Sequence, residues 1–242
     1  MATVAASSQR RLSLLGGFSL TAAGEVVRLP GNAQRLLAFV ALQGRAVSRA
    51  RVAFTLWPDG TEAHAYGSLR SALFELRRPG HDLLRVNESQ AQLAPGVAVD
   101  AHELLALLDV IGSGWTAGLE PAVPRRLLEA ELLTEWYDDW VQVERERWLE
   151  LRLQALETLC RLQLDAGLPS EAVATGLAAV RADPTRESSA RLVIAAQLAM
   201  GNQAQAMAHY RHLEAGLREL GLVPSAVTMA LVSSIASSLT LG

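Results

Sequence analysis

Two glycines set the strongest limit on what this chain can fold into. Gly167 and Gly201 stand 34 residues apart, each between two amphipathic helical runs. Their flanks match: Leu164 with Leu198, Ala172 with Ala206, Ala174 with Ala208. A glycine dividing paired helices at a fixed period marks stacked helical hairpins, each needing a neighbour to cover its apolar face. Two units are fewer than such a stack requires, so the preceding helices are expected to supply another, degenerate one. Asp183-Pro184 marks the boundary between units, because a residue before proline is pushed out of the helical region.

The rest of the second half also reads as helix. Asp100 is expected to cap a helix running to about Ile111, which Gly112-Ser113-Gly114 then breaks. A helix is expected from about Pro124, and a long one from about Trp136 to Ala166. Trp136 and Trp140 would share a face of that helix and be buried between helices, with Trp148 two turns on. The neighbouring acids Asp138, Asp139, Glu144, Glu146 and Glu150 read most simply as a solvated face. From Leu220 to Gly242 no residue is charged. Pro224 and seven hydroxyl residues (Ser225, Thr228, Ser233, Ser234, Ser237, Ser238, Thr240) make that stretch too polar to span a bilayer. It reads as an amphipathic closing helix with room for self-association.

The first half is mixed. Leu12 to Leu20 is a strand-like run, and a second strand is expected around Val26 to Leu29. Pro30-Gly31-Asn32 opens an apolar helix carrying Leu36, Leu37, Phe39, Val40 and Ala41. Ser48 is placed to cap the next helix, which ends at Leu56-Trp57-Pro58-Asp59. A further helix begins near Thr61. Leu69, Ala72, Leu73 and Leu76 line one of its faces at helical spacing. Arg70, Phe74, Arg77 and Arg78 lie to the other side, with Gly67 and Ser71 small between them, until Pro79-Gly80 stops it. Leu83 to Val86 and Gln90 to Leu93, separated by Asn87-Glu88-Ser89, read as a hairpin. Strands, three helices and a terminal hairpin describe a winged helix. A helix that buries one face and offers arginines on the other suits a DNA major groove.

Charge separates the same two parts. Residues 1–99 carry a net charge of +5 and residues 100–242 a net charge of −8. All 22 basic residues are arginine. Without lysine, neither a nucleotide-binding P-loop nor Schiff-base chemistry can be built. The lone Cys160 gives no disulfide or cysteine-rich zinc site and reads as a buried small hydrophobe. His209 and His212 share a helix but lack a third ligand, so they read as a surface pair. No catalytic constellation, metal site or cofactor motif is found. No signal peptide is expected, because Met1 to Ser8 lacks a charged start and Arg10-Arg11 precedes only a short apolar run, and a reducing cytoplasm fits.

With both halves laid out, the chain resembles the SARP family of antibiotic regulatory proteins, bacterial transcription activators. The residues that carry the likeness run from about Leu12 to Pro224. In the head they are Leu15-Gly16-Gly17-Phe18, Asn32-Ala33-Gln34-Arg35-Leu36-Leu37, Leu56-Trp57-Pro58-Asp59 and Leu69 to Arg78. In the body they are Trp136 to Trp140, Glu144 to Arg147, Asp183-Pro184 with Glu187, Gly201-Asn202 with Ala206 and Tyr210, and Glu219 to Ser225.

The resemblance implies a mostly α protein: a winged helix-turn-helix followed by a tetratricopeptide-like bacterial transcriptional activation domain. The expected boundaries are a disordered tail at 1–10, a DNA-binding domain at 11–97 and the activation domain at 98–242. Expected partners are double-stranded DNA with direct repeats and RNA polymerase, with no membrane. A homodimer would form on DNA or through the uncharged C-terminal helix. The expected DNA-contacting residues are Arg70, Ser71, Phe74, Arg77, Arg78 and, entering the wing, Arg85. Arginine can pair guanine edges or clamp phosphates, and which arginine does which stays open. Phe74 and Glu75 in the middle of the arginine-bearing helix depart from the family pattern. The alternative reading is a protein-interaction scaffold whose head has lost DNA affinity.

Overall fold

A computed structural model describes residues 10–77, 82–112 and 129–239. The chain divides into two compact units, one taking residues up to Ala106 together with Ala130–Arg147, the other Leu107–Glu129 with Trp148–Gly242.

The first unit opens with strands β1 (Arg10–Ser13), β2 (Ser19–Ala22) and β3 (Glu25–Val26). Helix α1 (Gly31–Gln43) follows, then β4 (Val47–Ser48), α2 (Arg49–Leu56) and α3 (Glu62–Leu76). The hairpin β5 (Leu84–Val86) and β6 (Gln90–Leu93), strand β7 (Val97–Val99) and helix α4 (Asp100–Gly112) come next. One sheet has the order β3-β2-β1-β7 and the other β4-β6-β5. Together these elements make the winged helix read from the sequence.

The Leu12–Leu20 run is two strands, not one. Gly16 and Gly17 adopt φ of +81° and +147°, which folds the chain back so that Leu12 pairs with Leu20. Arg10, assigned to the tail, already belongs to β1 and lies opposite both Ala22 and Val97. Expected strand residues Val27 to Leu29 fall outside β3. Val27 N–H still donates to Leu20 O at 2.8 Å, but Pro30 has no N–H to continue the ladder.

Asp100 does more than cap. It is the first residue of α4, and its buried carboxylate accepts from Ala101 N and, across the unit, from Leu14 N and Leu15 N at 2.8–3.1 Å. Burial pushes its pKa up, against three backbone donors that favour the charged form.

The long helix α5 is Asp139–Asp165, starting later than the expected Trp136. Arg145 is the reason: its guanidinium donates to the carbonyls of Leu132, Leu133 and Trp136, which a helix through that segment would withdraw. Leu133 N–H in turn donates to Leu14 O, so the segment extends the end of β1. Trp136 therefore precedes the helix. It stacks on Phe18 at 5.8 Å and meets Trp140 edge-on at 6.2 Å, while Trp140 meets Phe39 at 5.3 Å. Trp140 is thus buried between α5 and α1, as the sequence suggested, whereas Trp136 packs from outside the helix. The acidic run is only partly a solvated face. Asp138 pairs with Arg35, Glu144 accepts from Gln43, and Glu150 pairs with Arg186.

In the second unit, α5 leads to α6 (Pro169–Ala182), α7 (Glu187–Ala199), α8 (Gln203–Glu219) and α9 (Ala226–Leu239). Gly167 and Gly201 take φ of +73° and +76° between paired helices, and Ala172 and Ala206 are both fully buried. The 34-residue repeat is thus structural. Cys160 is buried and donates to Ala172 O, with its thiol pushed up to about 11 by burial. The helix expected from Pro124 lies outside the described residues.

Candidate nucleic-acid interface

Ser48 Oγ accepts from Arg51 N to start α2, and Thr61 Oγ1 accepts from His64 N to start α3. Between them the chain passes through Trp57-Pro58-Asp59-Gly60. Ala65, Leu69, Ala72, Leu73 and Leu76 are buried on one face of α3. The opposite stripe, at the i, i+3, i+4, i+7 spacing of one helical face, is Gly67, Arg70, Ser71, Phe74 and Arg77. Arg70, Ser71 and Arg77 are exposed, and Phe74 is 70% exposed. Ser71 Oγ donates to Gly67 O at 3.2 Å. Arg77 is the C-cap residue, and its own N–H donates to Leu73 O and Phe74 O. Arg78 lies outside the described residues.

The hairpin is held by Asn87, whose Oδ1 accepts from Ser89 N at 2.9 Å and Gln90 N at 2.7 Å. Arg49 N–H, the first of α2, donates to Ser89 O, so the hairpin turn and the start of α2 are tied together. β6 pairs with β4 on its other side. Arg85, opposite Gln92 on β5, is exposed.

Charge pairing sorts the head's arginines. Arg11 is bidentate to Glu103, Arg35 pairs with Asp138, and Arg10 donates to Asp82 O. Among the described residues, Arg28, Arg45, Arg51, Arg70, Arg77 and Arg85 make no side-chain hydrogen bond or ion pair. Sequence reasoning had singled out three of these six. It missed Arg28 between β3 and α1, Arg45 before β4 and Arg51 in the first turn of α2. The available signal was that α2 carries no acid in its first turn, where an acid would suit the helix dipole, and has arginine there instead.

Among the described residues no cluster of histidine, cysteine and acid groups is arranged to hold a metal, and no helix is long and apolar enough to cross a membrane. Burial first, and His212 second, lower the pKa of His209.

Residues 124–236 match the family model described as the bacterial transcriptional activator domain. Two curated relatives are both called regulatory protein AfsR. The one from Streptomyces coelicolor is 29% identical, with 90% of this chain and 23% of the relative covered. The one from Streptomyces griseus is 27% identical, with 88% of this chain and 23% of the relative covered. The chain thus spans under a quarter of these relatives' length. Among solved structures it is similar to Mycobacterium tuberculosis EmbR in complex with a low-affinity phosphopeptide. That likeness has a TM-score of 0.75 at 21% identity, over 95% of this chain and 65% of the other, and it shows the shared fold.

Proposed function

We propose that the chain is a SARP-type transcriptional regulator with no catalytic role, a sequence-specific DNA-binding activator of the bacterial cytoplasm; the match of residues 124–236 to the bacterial transcriptional activator domain and the likeness to AfsR support this reading. Residues 11–97 are the DNA-binding domain and 98–242 the activation domain, which contacts a neighbouring protomer on direct repeats or RNA polymerase. Arg70, Ser71, Phe74, Arg77 and Arg78 face the major groove, with Arg85 at the wing beside it. One observation carries this reading: the exposed stripe of α3 presents arginines that no acid of the described chain neutralises. Unpaired arginine gains most from phosphate oxygens and guanine edges, where its planar fork bonds bidentately. Phe74 supplies an apolar contact for a thymine methyl.

Binding of a labelled promoter duplex, followed by fluorescence anisotropy, tests it. Affinity is expected to fall steeply with salt, because phosphate contacts release counterions. Arg77→Ala is expected to weaken binding by more than about 1 kcal/mol. Unchanged affinity in a variant lacking Arg70, Arg77 and Arg78 overturns the assignment.

The scaffold reading has its own support in the exposed apolar residues Leu222, Val223 and Val227 at the far end of the second unit. A stoichiometric protein partner, with no DNA binding even at low salt, would favour it.

A further inference from the structure

The arginine stripe does not end with α3. Phe54 on α2 meets Tyr66 on α3 edge-on, with ring centroids 6.0 Å apart and an interplanar angle of 77°. α2 buries Val52, Ala53 and Leu56, and its other side carries Arg51 and Phe54, a helical turn apart. On α3, Tyr66 lies four residues before Arg70 and eleven before Arg77, a spacing that returns to one side of a helix. Arg51, Phe54, Tyr66, Arg70 and Arg77 thus make one strip across both helices. No sequence motif announced it, because the ring contact that joins its halves links different helices.

The strip differs from a merely solvated surface in two ways. α2 contains no acid, and Arg51 stands in its first turn, where the positive end of the helix dipole repels a cation. Nothing among the described residues offsets this, since Arg51 has neither an ion pair nor a side-chain hydrogen bond. Tyr66 is the second case. Its ring is half-buried and braced by Phe54, which is itself 49% exposed. Its hydroxyl has no partner among the described residues, yet it is not shut off from solvent. A braced ring with a free donor loses little freedom when it meets an acceptor. Of the acids in α3, Glu62 is in the first turn, where the dipole favours one, and Glu75 lies off the stripe.

An apolar partner would strand the arginines, whereas phosphate oxygens accept from guanidinium and hydroxyl alike. We infer that the phosphate backbone of duplex DNA runs along this strip from α3 onto α2. Arg51 and the Tyr66 hydroxyl each donate to a phosphate, and Phe54 fixes the Tyr66 ring. This placement rests on the DNA-binding function proposed above for its partner, but not on sequence selectivity, since phosphate contacts carry no base information.

Anisotropy titrations of a labelled random-sequence duplex with the full chain, over a range of salt, test it. Tyr66→Phe keeps the ring and removes the hydroxyl. It is expected to weaken binding about fivefold at every salt concentration with an unchanged salt slope, because a neutral donor releases no counterion. Arg51→Ala is expected to weaken binding about tenfold at low salt and to make the log–log salt slope shallower by about 0.9. Circular dichroism melts show that both variants are folded. Wild-type affinity and slope in either variant overturn the inference and leave the reading by Arg70 and Arg77 standing. The expected losses without preference for any sequence support the inference and overturn the sequence-specific reading. No binding of any duplex by the wild type, even at low salt, overturns both.

Discussion

At Gly67 the chain gives up helix stability on the face it presents outward. A Cβ added there would meet only Arg70 Nη2, at 3.8 Å, which is ordinary contact. Gly67→Ala is therefore expected to raise unfolding stability by about 0.5–1 kcal/mol, read as a higher denaturant midpoint. Gly176 is the opposite case. A Cβ there would come 2.7 Å from Val193 Cγ2 and 3.3 Å from Cys160 Sγ, so three helices meet closely only because the side chain is missing. Gly176→Ala is expected to cost about 1–3 kcal/mol, and adding Val193→Ala should recover part of it. Nothing in the sequence distinguished these two glycines, since both sit inside helical patterns. What separates them is a neighbour far along the chain.

At the scale of elements, the second unit is stitched by carboxylates. Glu157 is buried, which alone would raise its pKa, but donors from Ser188, Ser189 and Arg186 outweigh burial and hold it below the ordinary glutamate value of 4.5. Glu187 behaves alike: burial is outweighed by Thr228, Ser225 and Arg191, fastening the start of α9 to α7. A carboxyl with a lowered folded-state pKa contributes stability above its unfolded value and loses it as pH falls through the folded value. Thermal melts are expected to be flat near neutrality and to drop below about pH 4.5. Glu157→Gln should be less stable at neutral pH and lose less on acidification. A wild-type melt unchanged down to about pH 3 would contradict this.

These networks also show which elements could be read in advance. The cap at Ser48, the helix start near Thr61, the Asn87 turn and the glycines at 167 and 201 were legible because each acts within a few residues. The late start of α5 was not, because tryptophan spacing at 136 and 140 looks helical until Arg145 claims the carbonyls of Leu132, Leu133 and Trp136. Asp100 read as a cap for the same reason: its partners Leu14 and Leu15 lie 85 and more residues away.

For the whole molecule, the partition of charge was legible from counting, and the structure adds where the positive charge is free. Two of the head's pairing carboxylates, Glu103 and Asp138, lie beyond residue 99 in the acidic part of the sequence, and they engage Arg11 and Arg35, while Arg70, Arg77 and Arg85 have no ion pair among the described residues. Under the proposed function, that division is what suits the stripe of Arg70, Phe74 and Arg77 to nucleic acid. Binding to genomic fragments flanking the protein's own gene, at low and at physiological salt, tests this most directly when run beside a variant lacking Arg70, Arg77 and Arg78. The account predicts selective binding to particular fragments, weakened by salt and abolished in the variant. Equal binding by the variant, or no selective binding even at low salt, would contradict it.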